Sequence, residues 1–442
     1  MAESDFAHIL STMELVRFAR GLTFVIISLI LSVAYSLTES AAVLVHYETQ
    51  ANAIAKRSTT PIKIPHFEIP LNLIQYDFAQ DLDPKIAATL IFEKNGQKYV
   101  RWILNPEDTK WFKQVASYFA AKGIELKKEY YFTGYQTASR SYIVEDPKKT
   151  VQFSVKSSTD VTGGRWADKK QPIGEAIDSR LNSEFLKEIQ KQKKFDNIVI
   201  MDEPAILEIA GIDQAVVIRS LDSLKNKDKE FIYLPGFSAL HERIGRYIAK
   251  INGSNDPLSY WGKHYIEATG RALGEFAART GMQFDSPHSQ NFLIELDSNY
   301  KPTGRIVFRD LADLYVYKDM MNALSRDPKS YFDKFTQKDN VLNHVEAAFG
   351  PLHGNKYPSW VTEYDYSKWN HQFFKAFETE FSKISGLRVA DFKQYKGVLD
   401  GDYFSNTYEV KTDKESTKSF WNKLSESKGS MKESVSCRQL LH

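Results

Sequence analysis

Apolar and polar residues alternate from Phe292 to Asp297: Phe292, Ile294 and Leu296 share one side of an extended chain, and Leu293, Glu295 and Asp297 the other. That period predicts a strand. Residues 297–304 then collect Asp, Ser, Asn, Pro and Gly, the chemistry of a turn, and residues 305–308 return as a second strand ending at Arg309-Asp310. Strands are also predicted at 87–93 and 98–104, joined through Asn95-Gly96, a pair suited to the left-handed conformations of a tight hairpin. Others fall at 130–133, 140–144, 150–155, 197–201 and 214–220. Elsewhere the spacing is helical. Asn105 is placed to cap a helix with Pro106 at its first position, Glu107-Asp108 in its first turn, a core face of Trp111, Val115, Tyr118 and Phe119, and an end at Gly123. Residues 174–193 read as a polar helix, charged on most faces and solvated. Helices are predicted at 237–251, at 312–324, 329–349 and 366–384, and from Asp256-Pro257 onward with Trp261, Tyr265, Leu273 and Phe276 facing the core. The sum is an α+β chain: a mixed β region packed with helices, then a helical C-terminal domain.

The 442 residues are enough for two or three domains. The 26% charged and 42% hydrophobic content is that of an ordinary globular protein. A net charge of +2 gives no nucleic-acid footprint. The single Cys437 excludes an intrachain disulfide and a cysteine metal cluster. At the N-terminus Arg17 and Arg20 precede an apolar run at 22–37, and small residues follow. That order is expected of a cleaved export signal or an uncleaved membrane anchor, either of which puts the body outside the cytoplasm; a buried core helix in a cytoplasmic protein is the alternative reading. The Ser- and Lys-rich residues 421–442 read as a disordered tail.

Two places carry candidate chemistry. The hairpin brings His288, Gln290 and Asn291 near Asp310, and an imidazole, two amides and a carboxylate suit a site for phosphate and Mg²⁺, which takes oxygen ligands. The same groups can instead cap backbone ends. Residues 156–165, KSSTDVTGGR, gather Lys156, Ser158, Thr162 and Arg165 around Gly163-Gly164. Hydroxyls and amides donate there and the cations neutralise charge, so the segment can cradle phosphates, or be a loop only.

The order of a helix, YWGKHYIEATGRALGEFAARTGMQF, then PHSQNFLIELD, then GRIVFRDLAD resembles the siderophore synthetases of the aerobactin-synthetase type, which work independently of the large peptide-synthetase assemblies. They carry a His-x-Gln-Asn strand after a helix and a second strand ending in Arg-Asp. The resemblance implies an ATP-dependent ligase that adenylates a carboxylic acid and passes the acyl group to an amine or hydroxyl. By that resemblance His288, Gln290 and Asn291 line the nucleotide phosphates, and Asn291 and Asp310 hold Mg²⁺. Lys156, Ser158, Thr162 and Arg165 contact ATP, with Lys156, Arg165 and His288 stabilising charge at the α-phosphate. Glu203 and Arg219 stand where the family has a Glu and a strand-ending Arg, and a surface salt bridge is their other reading. Ser286 replaces a Glu that the family usually carries two residues before the His. The implied partners are a small carboxylate and an amine. The divisions expected are the N-terminal segment 1–42, an α/β region 43–135, a nucleotide-binding-like α+β core 136–311, a helical region 312–420 and the tail. A non-catalytic binding protein on the same fold and a kinase-like phosphotransferase are the alternatives. Export and ATP use conflict, because ATP is scarce outside the cytoplasm.

Overall fold

The computed structural model describes residues 61–161, 168–222, 231–284, 289–316, 318–324, 358–361 and 363–389. The N-terminal segment, Thr162, Arg165, Ser286, His288, the helix predicted at 329–349 and the C-terminal tail lie outside them. The strands are β1 (Ile62–Pro70), β2 (Gln75–Phe78), β3 (Ile91–Lys94), β4 (Gln97–Ile103), β5 (Lys128–Ala138), β6 (Ser141–Glu145), β7 (Gln152–Lys156), β8 (Ile198–Ile200), β9 (Ala205–Ile209), β10 (Gln214–Arg219), β11 (Phe231–Pro235), β12 (Met282–Phe284), β13 (Phe292–Asp297), β14 (Pro302–Phe308) and β15 (Leu314–Val316). The helices are α1 (Pro84–Leu90), α2 (Trp111–Ala120), α3 (Ile173–Gln192), α4 (Gly236–Ala239), α5 (Glu242–Ile251), α6 (Pro257–Trp261), α7 (Ala268–Thr280), α8 (Lys318–Ala323) and α9 (Glu363–Ser385).

Nine strands form one sheet in the order β2-β9-β10-β7-β6-β5-β1-β4-β3, and four form a second in the order β11-β13-β14-β8. Period-two alternation assigns the faces. Tyr142, Val144, Phe153, Val155, Leu207, Val216 and Ile218 join the core beneath α1 and α2. Ile206, Ala215 and Val217 turn to the opposite face and meet Ala176 of α3. On that same face Tyr135 and Ile143 pack with Val199, Leu293 and Val307 of the four-stranded sheet. The far side of the four-stranded sheet buries Phe292, Ile294, Ile306 and Phe308 against α5, α7 and α9. The architecture is α+β, as expected, with the second sheet and α3 sandwiched between the large sheet and a helical layer.

Several boundaries differ from the sequence reading, each for a local reason. The strand predicted from residue 87 begins only at Ile91, because Asp83 caps Lys85 and Pro84 opens a helix over Ala87 and Ala88. α2 starts at Trp111, not at Pro106: Asp108 takes the amides of Trp111 and Phe112 at 3.1 and 2.7 Å, while Asn105 is spent on Glu107 N and Tyr142. Residues 312–324 are not one helix but a 3₁₀ turn, the strand β15 that pairs with β12, and α8. α3 is not solvated all round; Ser179, Arg180, Asn182, Ser183, Phe185, Leu186 and Ile189 are buried between the layers. Gly270 and Gly274 let α9 close on α7, where an added Cβ would lie 2.4 Å from Phe373 O and 2.5 Å from Phe377 O.

Candidate functional site

Alternation that puts Val155 and Ile218 into the core turns their neighbours Lys156 and Arg219 to the other face, toward α3 and the second sheet. Pairing of Ser141 with Lys156 brings the β5–β6 turn, with Arg140, alongside. From the opposite sheet β14 ends at Phe308 and the chain reaches Asp310 two residues on, and the segment after β8 supplies Glu203. Five charged side chains from distant parts of the chain therefore meet in one seam.

Lys156 donates to Asp310 Oδ1 in a short ion pair, and Arg219 Nη2 reaches the same oxygen at 3.2 Å. Arg219 Nε donates to Glu203 Oε1 at 2.6 Å, and Nη1 contacts Ser141 Oγ at 3.4 Å. Lys156, Arg219 and Glu203 are 6%, 5% and 1% exposed, whereas Asp310 keeps 25% of its side chain open and marks the way in. Arg140 is anchored by Lys170 O at 3.0 Å and Gln171 Oε1 at 3.2 Å, with Glu175 at 4.0 Å. Burial pushes the Lys156 ammonium down, opposed by Asp310 and deepened by Arg140 and Arg219. Burial lowers Lys169 too, and Arg140 and Lys156 add to it. Burial would raise the Asp310 carboxyl, but Lys156, Arg219 and Arg140 hold it well below the usual carboxylate range. Arg140, Lys156, Lys169 and Arg219 outnumber the carboxylates of Asp310, Glu203 and Glu175 beside them, four to three. The surplus is a field that an anion would relieve.

The loop expected to cradle phosphates is closed at its base. Thr159 and Lys169 exchange backbone bonds of 3.0 and 2.8 Å, and Ser158 Oγ accepts from Gln171 N at 2.9 Å. Ser158 thus staples the stem, and Thr162 and Arg165 belong to the undescribed span between the two arms. On the hairpin, Phe292 faces Phe308, so Asn291 lies opposite Arg309, whose N–H donates to Asn291 O at 3.2 Å. Gln290 O accepts from Arg309 Nε at 2.8 Å. Asn291 Nδ2 is buried with no hydrogen-bond partner among the described residues. The hairpin thus brings Gln290 and Asn291 to the end that carries Asp310. Lys156, Arg219, Glu203 and Asp310 join directly in the seam. Sequence reading missed Arg140, Lys169 and Asn182. Arg140 sat at the first position of a predicted strand whose next inward residue is Ser141, the one available signal.

A triphosphate fits the cation surplus and the free amide donor of Asn291. Magnesium would have to draw Asp310 away from the two cations that engage it, and the amide oxygen of Asn291 would be its other side-chain ligand. No group of three or more His, Cys, Asp or Glu could hold a metal among the described residues.

The fold is that of the aerobactin-synthetase type of siderophore synthetase. A petrobactin biosynthesis protein from Bacillus anthracis matches with a TM-score of 0.56 at 14% identity, over 76% of this chain and 63% of its own. An aerobactin synthetase from a hypervirulent pathotype of Klebsiella pneumoniae matches with a TM-score of 0.53 at 14% identity, over 74% of this chain and 64% of its own. An ATP-bound aerobactin synthetase from the same pathotype gives 0.50 at 12% identity, over 77% and 64%. The chain thus spans less than two thirds of the length of the synthetases it matches. No family model and no curated protein matches the sequence.

The expectation of an exported or membrane-anchored protein is corrected here. The fold is shared with siderophore synthetases, one of them solved with ATP bound. No helix of the described residues is long and apolar enough to cross a membrane; the apolar run at 22–37 lies outside them.

Proposed function

We propose that the chain is an ATP-dependent ligase of the siderophore-synthetase type, joining a small carboxylic acid to an amine or hydroxyl through an acyl-adenylate. The observation that carries this reading is the cation surplus at the seam, Arg140, Lys156, Lys169 and Arg219 around Asp310, with Glu203 and Glu175 as the other carboxylates. Adenylation gathers negative charge on the α-phosphate as the acid attacks, and buried cations fixed before the reaction stabilise that charge without reorganising. Lys156 and Arg219 sit on rigid strands and supply that preorganisation. Arg140 and Lys169 flank the opening, where a triphosphate or the acid's carboxylate would enter. Asn291 Nδ2 would donate to a phosphate oxygen. His288 and Arg165 are proposed to complete the charge-stabilising set, and Ser158 and Thr162 to shape the loop over it. A magnesium ion carried by the nucleotide would draw on Asp310 only after that carboxylate left Lys156 and Arg219, so no step here runs through it.

Lys156→Met removes one charge-assisted hydrogen bond to phosphate, so ATP affinity by calorimetry should fall by about 1.5–3 kcal/mol, roughly 10- to 150-fold. With an acid and an amine the wild type should release AMP and pyrophosphate. Unchanged ATP affinity in the variant, or ADP as the product, would overturn the ligase reading.

A further inference from the structure

α3 carries a buried amide that no motif marks. Asn182 has none of its surface exposed, and its Nδ2 donates to Leu311 O at 2.7 Å. The N–H of Leu311 donates to Glu203 Oε2 at 3.2 Å. Both backbone polar groups of one residue thus end on buried side chains from two other parts of the chain. The residue before it, Asp310, has φ 66° and ψ 60°. That left-handed conformation is unfavourable for a residue with a Cβ and persists where surrounding contacts impose it. The contacts close into a ring. Asp310 Oδ1 meets Arg219 Nη2, Arg219 Nε meets Glu203 Oε1, and Glu203 Oε2 returns to the N–H that follows Asp310. Such a ring ties the direction of the carboxylate to the backbone that bears it. Asn182 locks the ring from the α3 side, and Ser183, its neighbour, receives Glu203 N at 2.9 Å.

We propose that Asn182 and Glu203 are positioning residues, clamping Leu311 so that the left-handed turn at Asp310 is held and its carboxylate is aimed at Lys156 and Arg219. The clamp is a feature of the backbone; what the aimed carboxylate serves rests on the ligase reading above. Neither Asn182 nor Glu203 is expected to touch substrate, since Asn182 Nδ2 and both carboxylate oxygens of Glu203 are already spent on Leu311 and Arg219.

Hydrogen exchange over residues 309–314 reads the clamp directly. In Asn182→Ala the Leu311 amide should exchange about tenfold faster or more, while α3 and β10 keep wild-type protection. Should the alanine variant lose α3 as a whole, Asn182→Leu fills the same space without the donor and gives the same reading. Unchanged exchange at Leu311 in the folded variant overturns the clamp. A second readout separates positioning from plain stability: the fall in ATP affinity caused by Asn182→Ala should vanish when Asp310→Asn is already present. An equal fall in both backgrounds means that Asn182 does not act through Asp310, and also overturns it. Faster exchange in a protein whose wild type binds no ATP supports the clamp and sinks the ligase reading instead.

Discussion

His66, in the nine-stranded sheet, and Asp310, at the seam between the sheets, are ionisable groups both held below their ordinary pKa, for opposite reasons. Burial pushes His66 down to about 4, and Arg101 adds to it. Its ring is neutral, and Nε2 finds no partner among the described residues. Burial acts on Asp310 in the other direction and is overruled by Lys156, Arg219 and Arg140. At His66 burial removes the charge; at Asp310 neighbouring cations keep it. A fold that needs only stability replaces buried ions by apolar groups at little loss, so a buried network that keeps them points to a task for them.

The comparison can be broken most strongly at Arg219. Arg219→Met leaves Glu203, 1% exposed, without its counter-ion and removes one of the two cations on Asp310. Urea unfolding should show a loss of about 3–5 kcal/mol, the scale of a buried pair with one partner removed. A loss under about 1 kcal/mol would mean that the seam is wetter than its geometry shows.

His66 gives the next effect, through pH. Its folded pKa of about 4 lies below its unfolded value near 6.5, so the unfolded chain binds more protons between those values. The contribution is complete above about pH 6.5 and is lost as pH falls toward 4, on the order of 3 kcal/mol in all. His66→Phe, which keeps a flat ring of similar size, should flatten that part of the stability profile. The same acid slope in the variant would place the proton uptake elsewhere.

The smallest effect tests a place remote from both regions. Lys149 is exposed and has φ 56° in the β6–β7 turn. Lys149→Gly relieves a left-handed lysine and should raise stability by roughly 1 kcal/mol, with ATP affinity unchanged. A fall in ATP affinity would extend the site to a turn that nothing in the seam touches.

Local chemistry was legible in the sequence wherever neighbours along the chain decide it. Asn95-Gly96 takes φ 54° and 77° in the hairpin turn it predicted, and Trp261, Tyr265, Leu273 and Phe276 are all buried at their helical spacing. The β13–β14 hairpin follows from alternation and turn residues alone. Alternation could not show that both of its faces are covered, which depends on β8 and β11 arriving from elsewhere and on the layers either side. A competing cap one turn away moved the start of α2 from Pro106 to Trp111. The polar face of α3 hid a buried stripe, because Ser179, Asn182 and Ser183 look like solvent residues until another backbone needs their hydrogen bonds.

The sequence by itself determined the α+β class and most elements, since these depend on period, caps and turn chemistry within a few residues. Only the tertiary structure decided that Lys156 and Arg219 share a face with Asp310 and Glu203, and that Arg140 and Asn182 belong beside them. Ion pairs and clamps between residues 91 and 154 positions apart depend on strand register and sheet stacking. Those are set by the whole pattern of burial and by no local run of residues.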